Sequence, residues 1–304
     1  MPIKIPDSLP AAKELEQENI FIMTEDRASH QDIRPLRIAI VNIMPTKIET
    51  ETQLLRLLSN SPLQVEIELI QMKSHVSKNT SSEHLLKFYK TYEDIKNERF
   101  DGLIVTGAPV ELMDYTQVEY WDELCQIFDW AKTNVYSSLF ICWASQAALY
   151  HHYGLKKQKL EKKLSGVYLH ETTDVLHPLT RGFDDKFYAP HSRYADISTK
   201  EIESVKNLKI LAKSDKAGAY ITVDSDCRNI YVSGHAEYNR ETLKNEYFRD
   251  VQKGLSPEVP ENYFECDDPQ KQPKFLWKSH ANLFYTNWLN HIVYQHTPYD
   301  LTEL

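Results

Sequence analysis

Glycine is scarce in this chain, at 8 of 304 residues, and cysteine scarcer, at 4. So few glycines exclude a collagen-like or glycine-rich low-complexity chain. Cys125, Cys142, Cys227 and Cys266 form no C-x-x-C pair and lie far apart. That argues for reduced, cytoplasmic thiols over a disulfide framework, and leaves zinc or another metal without a spaced ligand set. No apolar run approaches the roughly 18 residues of a membrane-spanning helix. Residues 1–10 lack an apolar stretch with a small-residue cleavage site, so neither membrane insertion nor secretion is expected. Positive charge is not in excess either: 35 Lys and Arg against 44 Asp and Glu leave −9. Nucleic acid and anionic membranes are therefore poor general partners. What is present, 41% hydrophobic and 26% charged residues, describes a soluble globular chain with enough apolar surface for a full core.

Residues 1–35 are polar, without a strong period, and read as an N-terminal arm. Leu36 to Ile43 is then a nearly continuous apolar run, the mark of a strand buried on both faces. Thr46-Lys47-Ile48-Glu49 has capping-box spacing ahead of a helix to about Ser59. Val65, Ile67 and Leu69 alternate with Glu66 and Glu68 as a second strand, so strand–helix–strand implies a right-handed parallel crossover. A helix is expected over 82–95, a buried strand over 102–106, and a helix with Trp121, Leu124, Cys125, Phe128 and Ala131 on one face. A strand at 138–141 runs into a helix at 143–153, closed by Gly154. Further strands are expected at 166–170, 208–212, 218–223 and 229–233. Asn239 is placed as the cap of a helix ending at Gly254, 256–273 as a loop, and 277–292 as a final amphipathic helix. No linker divides the pattern. The reading is one α/β domain over 36–304, a mostly parallel sheet flanked by helices with an elaborated C-terminal part.

Cys142 stands where an apolar strand meets a helix. At such a turn its side chain projects from the carboxyl edge of the sheet, beside the Trp143 N–H and the positive helix end. These features favour a nucleophilic sulfur and supply half an oxyanion hole. A small buried hydrophobe closing the strand fits the local sequence equally well, since Ile141 and Ala144 replace the glycines of a G-x-S-x-G elbow. His235 and Glu237 follow the strand at 229–233, and two residues apart they share a side if the backbone is extended. Alone, an H-x-E is more often a strand-end histidine with a solvated glutamate. Taken with Cys142 it gives a nucleophile, a base and an orienting carboxylate. Thr106-Gly107-Ala108-Pro109-Val110-Glu111 leaves a third strand at the same edge. Gly107 permits close approach, and the amide of Val110 or Glu111 could complete an oxyanion hole. His151-His152 at a helix end, Cys125 on an apolar face, and Cys227 and Cys266 in polar turns are set aside.

Four stretches carry a resemblance: Arg37–Pro45, Phe100–Glu111, Phe140–Ala144 with Gln146-Ala147-Ala148, and Gly234–Tyr238. Together they resemble the homoserine O-acyltransferases of methionine biosynthesis, on the flavodoxin-like fold of class I glutamine amidotransferases. The resemblance implies acyl transfer from an acyl-CoA to the hydroxyl of L-homoserine, through an acyl-Cys142 with His235 as base and Glu237 orienting it. It further implies Lys163, Ser192 and Arg249 as substrate-binding residues, Trp143 and Glu111 at the oxyanion hole, no resident cofactor, a homodimer and a cytoplasmic location. At the position of Glu111 the family carries glycine where a succinyl tail is taken; a carboxylate there fills the pocket and repels succinate, so acetyl-CoA is the expected donor. The lysines at 156, 157, 159 and 162 are normally a solvated face, though they could attract the phosphates of CoA. Succinyl transfer, glutamine amide hydrolysis and a non-catalytic homologue remain as alternatives.

Overall fold

The structure is a computed structural model that describes residues 3–4, 6, 8–17, 22–23, 34–75 and 79–304. Its strands are β1 (Ile3–Lys4), β2 (Ile22–Met23), β3 (Leu36–Val41), β4 (Val65–Gln71), β5 (Tyr89–Thr91), β6 (Phe100–Val105), β7 (Val135–Ile141), β8 (Gln158–Thr172), β9 (Lys186–Asp196), β10 (Leu208–Ser214), β11 (Gly218–Asp224) and β12 (Asn229–Val232). They form one sheet in the order β2-β1-β4-β3-β6-β7-β12-β11-β10-β8-β9, with β5 added on β4. From β2 to β12 every pairing is parallel, and from β12 to β9 every pairing is antiparallel. β12 is therefore the seam between a parallel half and an antiparallel half.

Alternation explains why the central strands read as unbroken apolar runs. Ile38 and Ile40 of β3, Leu139 and Ile141 of β7, and Ile230 and Val232 of β12 point into one core. Ala39 and Val41, Phe140 and Tyr231 point into the other. The helices Trp121–Asn134 and Trp143–Tyr153 cover the second face, while Lys47–Leu58 and Lys278–Asn287 cover the first. Helix Pro10–Gln17 joins that first core through Ala11, Ala12 and Leu15. The remainder of the expected arm 1–35, apart from 3–4, 6, 8–9, 22–23 and 34–35, lies outside the described residues. Among the described residues no helix is long and apolar enough to cross a membrane.

Several local expectations are corrected. The helix expected over 82–95 is broken: Ser82–Phe88 is helical, Tyr89–Thr91 pairs with β4, and Tyr92–Ile95 restarts. The break has two causes. Tyr89 buries its hydroxyl against Glu51 at 2.5 Å, and the Thr91 N–H and hydroxyl both bond Asp94, at 2.8 and 2.7 Å, capping the new turn. Thr46 makes no side-chain cap; Glu49 instead accepts from Gln53 and Thr242. Asn239 does not cap the next helix, which starts at Thr242; its side-chain oxygen accepts from Arg56 at 2.7 Å. β8 runs well beyond the expected 166–170, and β9 was not anticipated.

Candidate active site

The register of the parallel strands determines where the chemistry gathers. Ile141 pairs with Val232, Phe140 with Val105, and Val105 with Val41. Cys142, Ser233 and Thr106 consequently leave the sheet at one level of its carboxyl edge, where open α/β sheets bind ligands. The Cys142 N–H donates to Val232 O at 2.7 Å, tying the two strand ends together.

Cys142 itself adopts φ 51°, ψ −114°, a region that a side chain with a Cβ occupies only under strain. The strain fits a nucleophile elbow built without the usual flanking glycines. The following residue opens helix Trp143–Tyr153, which ends at Gly154 in the left-handed conformation as expected. The Trp143 N–H belongs to that first turn, whose donors have no partner within the helix. Opposite, a Cβ placed on Gly107 would lie 3.3 Å from the Cys142 Cβ and 3.4 Å from His235 Cε1. Glycine at 107 is what lets the three segments close on one another. The two candidate loop amides differ: Val110 N–H donates to Ala108 O, whereas the Glu111 N–H faces its own carboxylate. Rotation of one side chain frees the second amide but not the first.

His235 and Glu237 meet across a turn, with Tyr238 N–H donating to His235 O at 3.1 Å. It is this turn, on which their contact depended, and not an extended strand that brings the two side chains together. His235 Nδ1 lies 2.7 Å from Glu237 Oε1, with both side chains buried. The ring also lies within electrostatic reach of the Cys142 side chain, with which it shares the cleft. Burial alone pushes the imidazole down. The Cys142 sulfur and the Glu237 carboxylate outweigh it and hold His235 well above the ordinary histidine range. Tyr238 stacks on the His235 ring, centroids 4.1 Å apart and planes 17° apart.

A cleft of about 450 Å³ opens over this constellation, lined by Cys142, His235, Glu111, Lys163, Ser192 and Arg249 among others. All the site residues expected from the sequence thus line one cleft except Trp143, which follows Cys142 in the chain, and Glu237, which is bonded to His235. Glu246, which sequence reasoning missed, is the hub. It accepts from Ser192 Oγ at 2.5 Å, from Tyr238 OH at 2.9 Å and from Lys163 Nζ at 3.4 Å. The available signal was helical spacing: Thr242, Glu246, Arg249 and Lys253 recur every three or four residues and all line the cleft. Lys163 also bonds Asp250 at 3.2 Å, and Arg249 engages Asp250 Oδ1 through Nε and Nη2, at 3.1 and 3.0 Å. The Arg249 side chain is half exposed and lines the cleft. Burial raises the Glu111 carboxyl, partly offset by its own amide, His235 and Lys163. Of the lysine run, Lys157 is bonded to Met113 O and Lys162 to Glu258. Among the described residues no group of three or more His, Cys, Asp and Glu side chains is arranged to hold a metal ion.

The model of the homoserine O-succinyltransferase family matches residues 2–299. The chain belongs to that family. It is 59% identical over 301 residues to a homoserine O-acetyltransferase of Clostridium acetobutylicum, covering 99% of this chain and all of the relative. It is 58% identical to one of Acetivibrio thermocellus over the full length of both. A homoserine O-succinyltransferase of Shewanella amazonensis is 52% identical, over all of this chain and 96% of the relative. Among solved structures, a glutamine amidotransferase of Thermotoga maritima superposes with a TM-score of 0.56 at 12% identity. It covers 86% of this chain and all of its own. That likeness establishes the fold, that of the class I glutamine amidotransferases. Membership of an acyltransferase family, not the fold, makes the chain an enzyme of homoserine acylation.

Proposed function

We propose that this family member moves an acetyl group from acetyl-CoA to the hydroxyl of L-homoserine, through an acyl-cysteine at Cys142. The observation that carries the donor choice is Glu111, a carboxylate held in the cleft beside the sulfur and the imidazole. A second carboxylate, at the end of a succinyl tail, meets repulsion there in a poorly solvated space. The full-length relatives bearing the acetyltransferase name support the same choice.

In the first half-reaction the Cys142 sulfur adds to the thioester carbonyl. The oxyanion is met by the Trp143 N–H and, once the Glu111 carboxylate turns away, by the Glu111 N–H. The C–S bond to CoA breaks, and the imidazolium of His235 gives its proton to the leaving sulfur. In the second, His235 takes the proton of the homoserine hydroxyl as its oxygen attacks the acyl carbon, and the Cys142–carbonyl bond breaks. Glu237 keeps the proton-bearing Nδ1 fixed throughout. Glu246 suits the ammonium of homoserine and Arg249 its carboxylate, with Ser192 and Lys163 orienting Glu246. The chemistry calls for no resident cofactor. A homodimer and a cytoplasmic location are part of the same proposal, resting on the family resemblance.

The test is to incubate the protein separately with acetyl-CoA and succinyl-CoA and map adducts by peptide mass spectrometry. An acetyl adduct on the Cys142 peptide that disappears on adding L-homoserine is expected. Preferential succinylation of that peptide would reverse the donor, and turnover with no Cys142 adduct would defeat the covalent route.

A further inference from the structure

Behind the turn that carries His235 lies a buried polar chain that the mechanism does not use. Residues alternate along β9, so Ser192 and Tyr194 face the cleft while His191 and Arg193 are wholly buried on the other side. Each hydrogen bond of the chain has only one possible direction. His170 Nδ1 lies 2.9 Å from Tyr168 O, a pure acceptor, so Nδ1 carries the proton. His170 Nε2 lies 3.0 Å from His191 Nε2. With His170 neutral, His191 Nε2 must donate, and His191 Nδ1 is left to accept from Arg193 Nη1. Both rings are held neutral: burial above all, and the Arg193 charge with it, keep their affinity for a second proton low, His170 at about 3. The guanidinium is anchored in turn by Asp196 at 2.8 Å and Ala217 O at 2.7 Å, and reaches Ser233 O at 3.4 Å.

This chain grips the turn at both ends. The His235 N–H donates to Pro190 O at 2.9 Å, next to His191 in sequence. A Cβ on Gly234 would stand 2.7 Å from Pro190 O, 2.8 Å from His191 Cε1 and 2.9 Å from the Tyr220 ring. The backbone at 234 is thus pressed against the relay with no slack. We propose that the one-way relay Arg193–His191–His170 is a positioning device for His235, setting the reach of its ring toward Cys142 through the Ser233-Gly234-His235 turn. Substitutions that keep one donor and one acceptor at position 191 preserve the placement, and those that remove the acceptor facing Arg193 lose it. The inference rests on the reading of Cys142 and His235 as nucleophile and base.

The experiment measures alkylation of Cys142 by iodoacetamide in the full chain, by peptide mass spectrometry, with the exposed Cys266 as internal reference. His191→Leu is expected to slow Cys142 alkylation by about tenfold or more, since small displacements of reacting groups are costly. His191→Gln, which offers an amide donor and acceptor, is expected to stay within about threefold of the parent. A Leu variant alkylated at the parent rate, or Leu and Gln variants slowed alike, overturns the proposal. Should His191→Leu not accumulate in folded form, Gly234→Ala keeps every donor and acceptor of the relay while wedging a methyl group between the turn and Pro190 O and the His191 ring. Loss of Cys142 reactivity then supports the proposal and unchanged reactivity overturns it. Acetyl-CoA turnover, assayed alongside, reports on the donor assignment alone: a parent chain with the relay effect but no acetyl transfer sinks that assignment and leaves the relay standing.

Discussion

Glu237 reaches His235 across a tight turn, its Oε1 2.7 Å from Nδ1, and neither side chain is open to solvent. The Glu237 carboxylate is one of two partners that lift the imidazole against the pull of burial. Glu237→Gln keeps the shape but removes the charge and permits the wrong ring orientation. We expect acyl transfer to fall by about 10²-fold or more, in keeping with carboxylate loss in other nucleophile–histidine–acid sites. Steady-state kinetics with the protein shown folded by circular dichroism checks this; a loss below threefold would mean that Glu237 is dispensable.

The same pairing predicts a pH-dependent stability. His235 binds its proton more tightly folded than unfolded, so its contribution is fully present below the unfolded value, about 6.5. It is lost as pH rises through the raised folded value. The stability of the parent relative to His235→Gln should therefore be larger near pH 6 than in the alkaline range, measured by urea unfolding at each pH. An advantage that grows with pH has the wrong sign and refutes the charged pair.

Cys142 allows a test of the elbow that needs no substrate. Alanine normally outranks glycine in the folded chain, because glycine loses more backbone entropy. At φ 51° the order is expected to reverse, with Cys142→Gly more stable than Cys142→Ala by about 1 kcal/mol. Thermal or urea unfolding of the two variants decides it, and the usual order would mean that the backbone at 142 is unstrained.

The parts legible in the sequence are those governed by short-range pattern. β3, β6, β7 and β12 announced themselves as apolar runs because they are buried on both faces, and the Cys142 elbow because a strand abuts a helix. β9 gave little warning: Tyr188 to Tyr194 mixes proline, histidine, serine and arginine, and its ladder to β8 depends on residues some twenty to thirty positions away. Glu246 was missed for a different reason. Its spacing with Thr242, Arg249 and Lys253 puts it on one helical face but does not say what that face meets, and only the fold brings Ser192, Tyr238 and Lys163 to it. The helix over 82–95 failed because Tyr89 is claimed by a buried carboxylate from another helix, a tertiary contact that no local period reports.

Glu111 should govern which thioester is accepted. Its carboxyl is raised chiefly by burial, so the cleft tolerates one acidic group there poorly and a second worse. Glu111→Gly removes both the bulk and the charge, and is expected to shift the ratio of kcat/KM for succinyl-CoA over acetyl-CoA upward by about tenfold or more. Competition between the two donors at equal concentration gives that ratio directly. If it stays within twofold of the parent, donor choice lies elsewhere.

The proposed role of Glu246 separates the two half-reactions. In the proposed mechanism Glu246, which accepts from Ser192, Tyr238 and Lys163, serves the homoserine ammonium and takes no part in acylation of Cys142. A hydrogen bond to a charged group contributes about 1.5–3 kcal/mol, so Glu246→Gln should raise the KM for L-homoserine by roughly 10- to 100-fold. The pre-steady-state burst of CoA release should stay at the parent rate, because acylation of Cys142 does not use the ammonium site. The opposite split, a slowed burst with an unchanged KM, would place Glu246 on the thioester side. It would then have to act through Tyr238, which stacks on His235 and donates to Glu246.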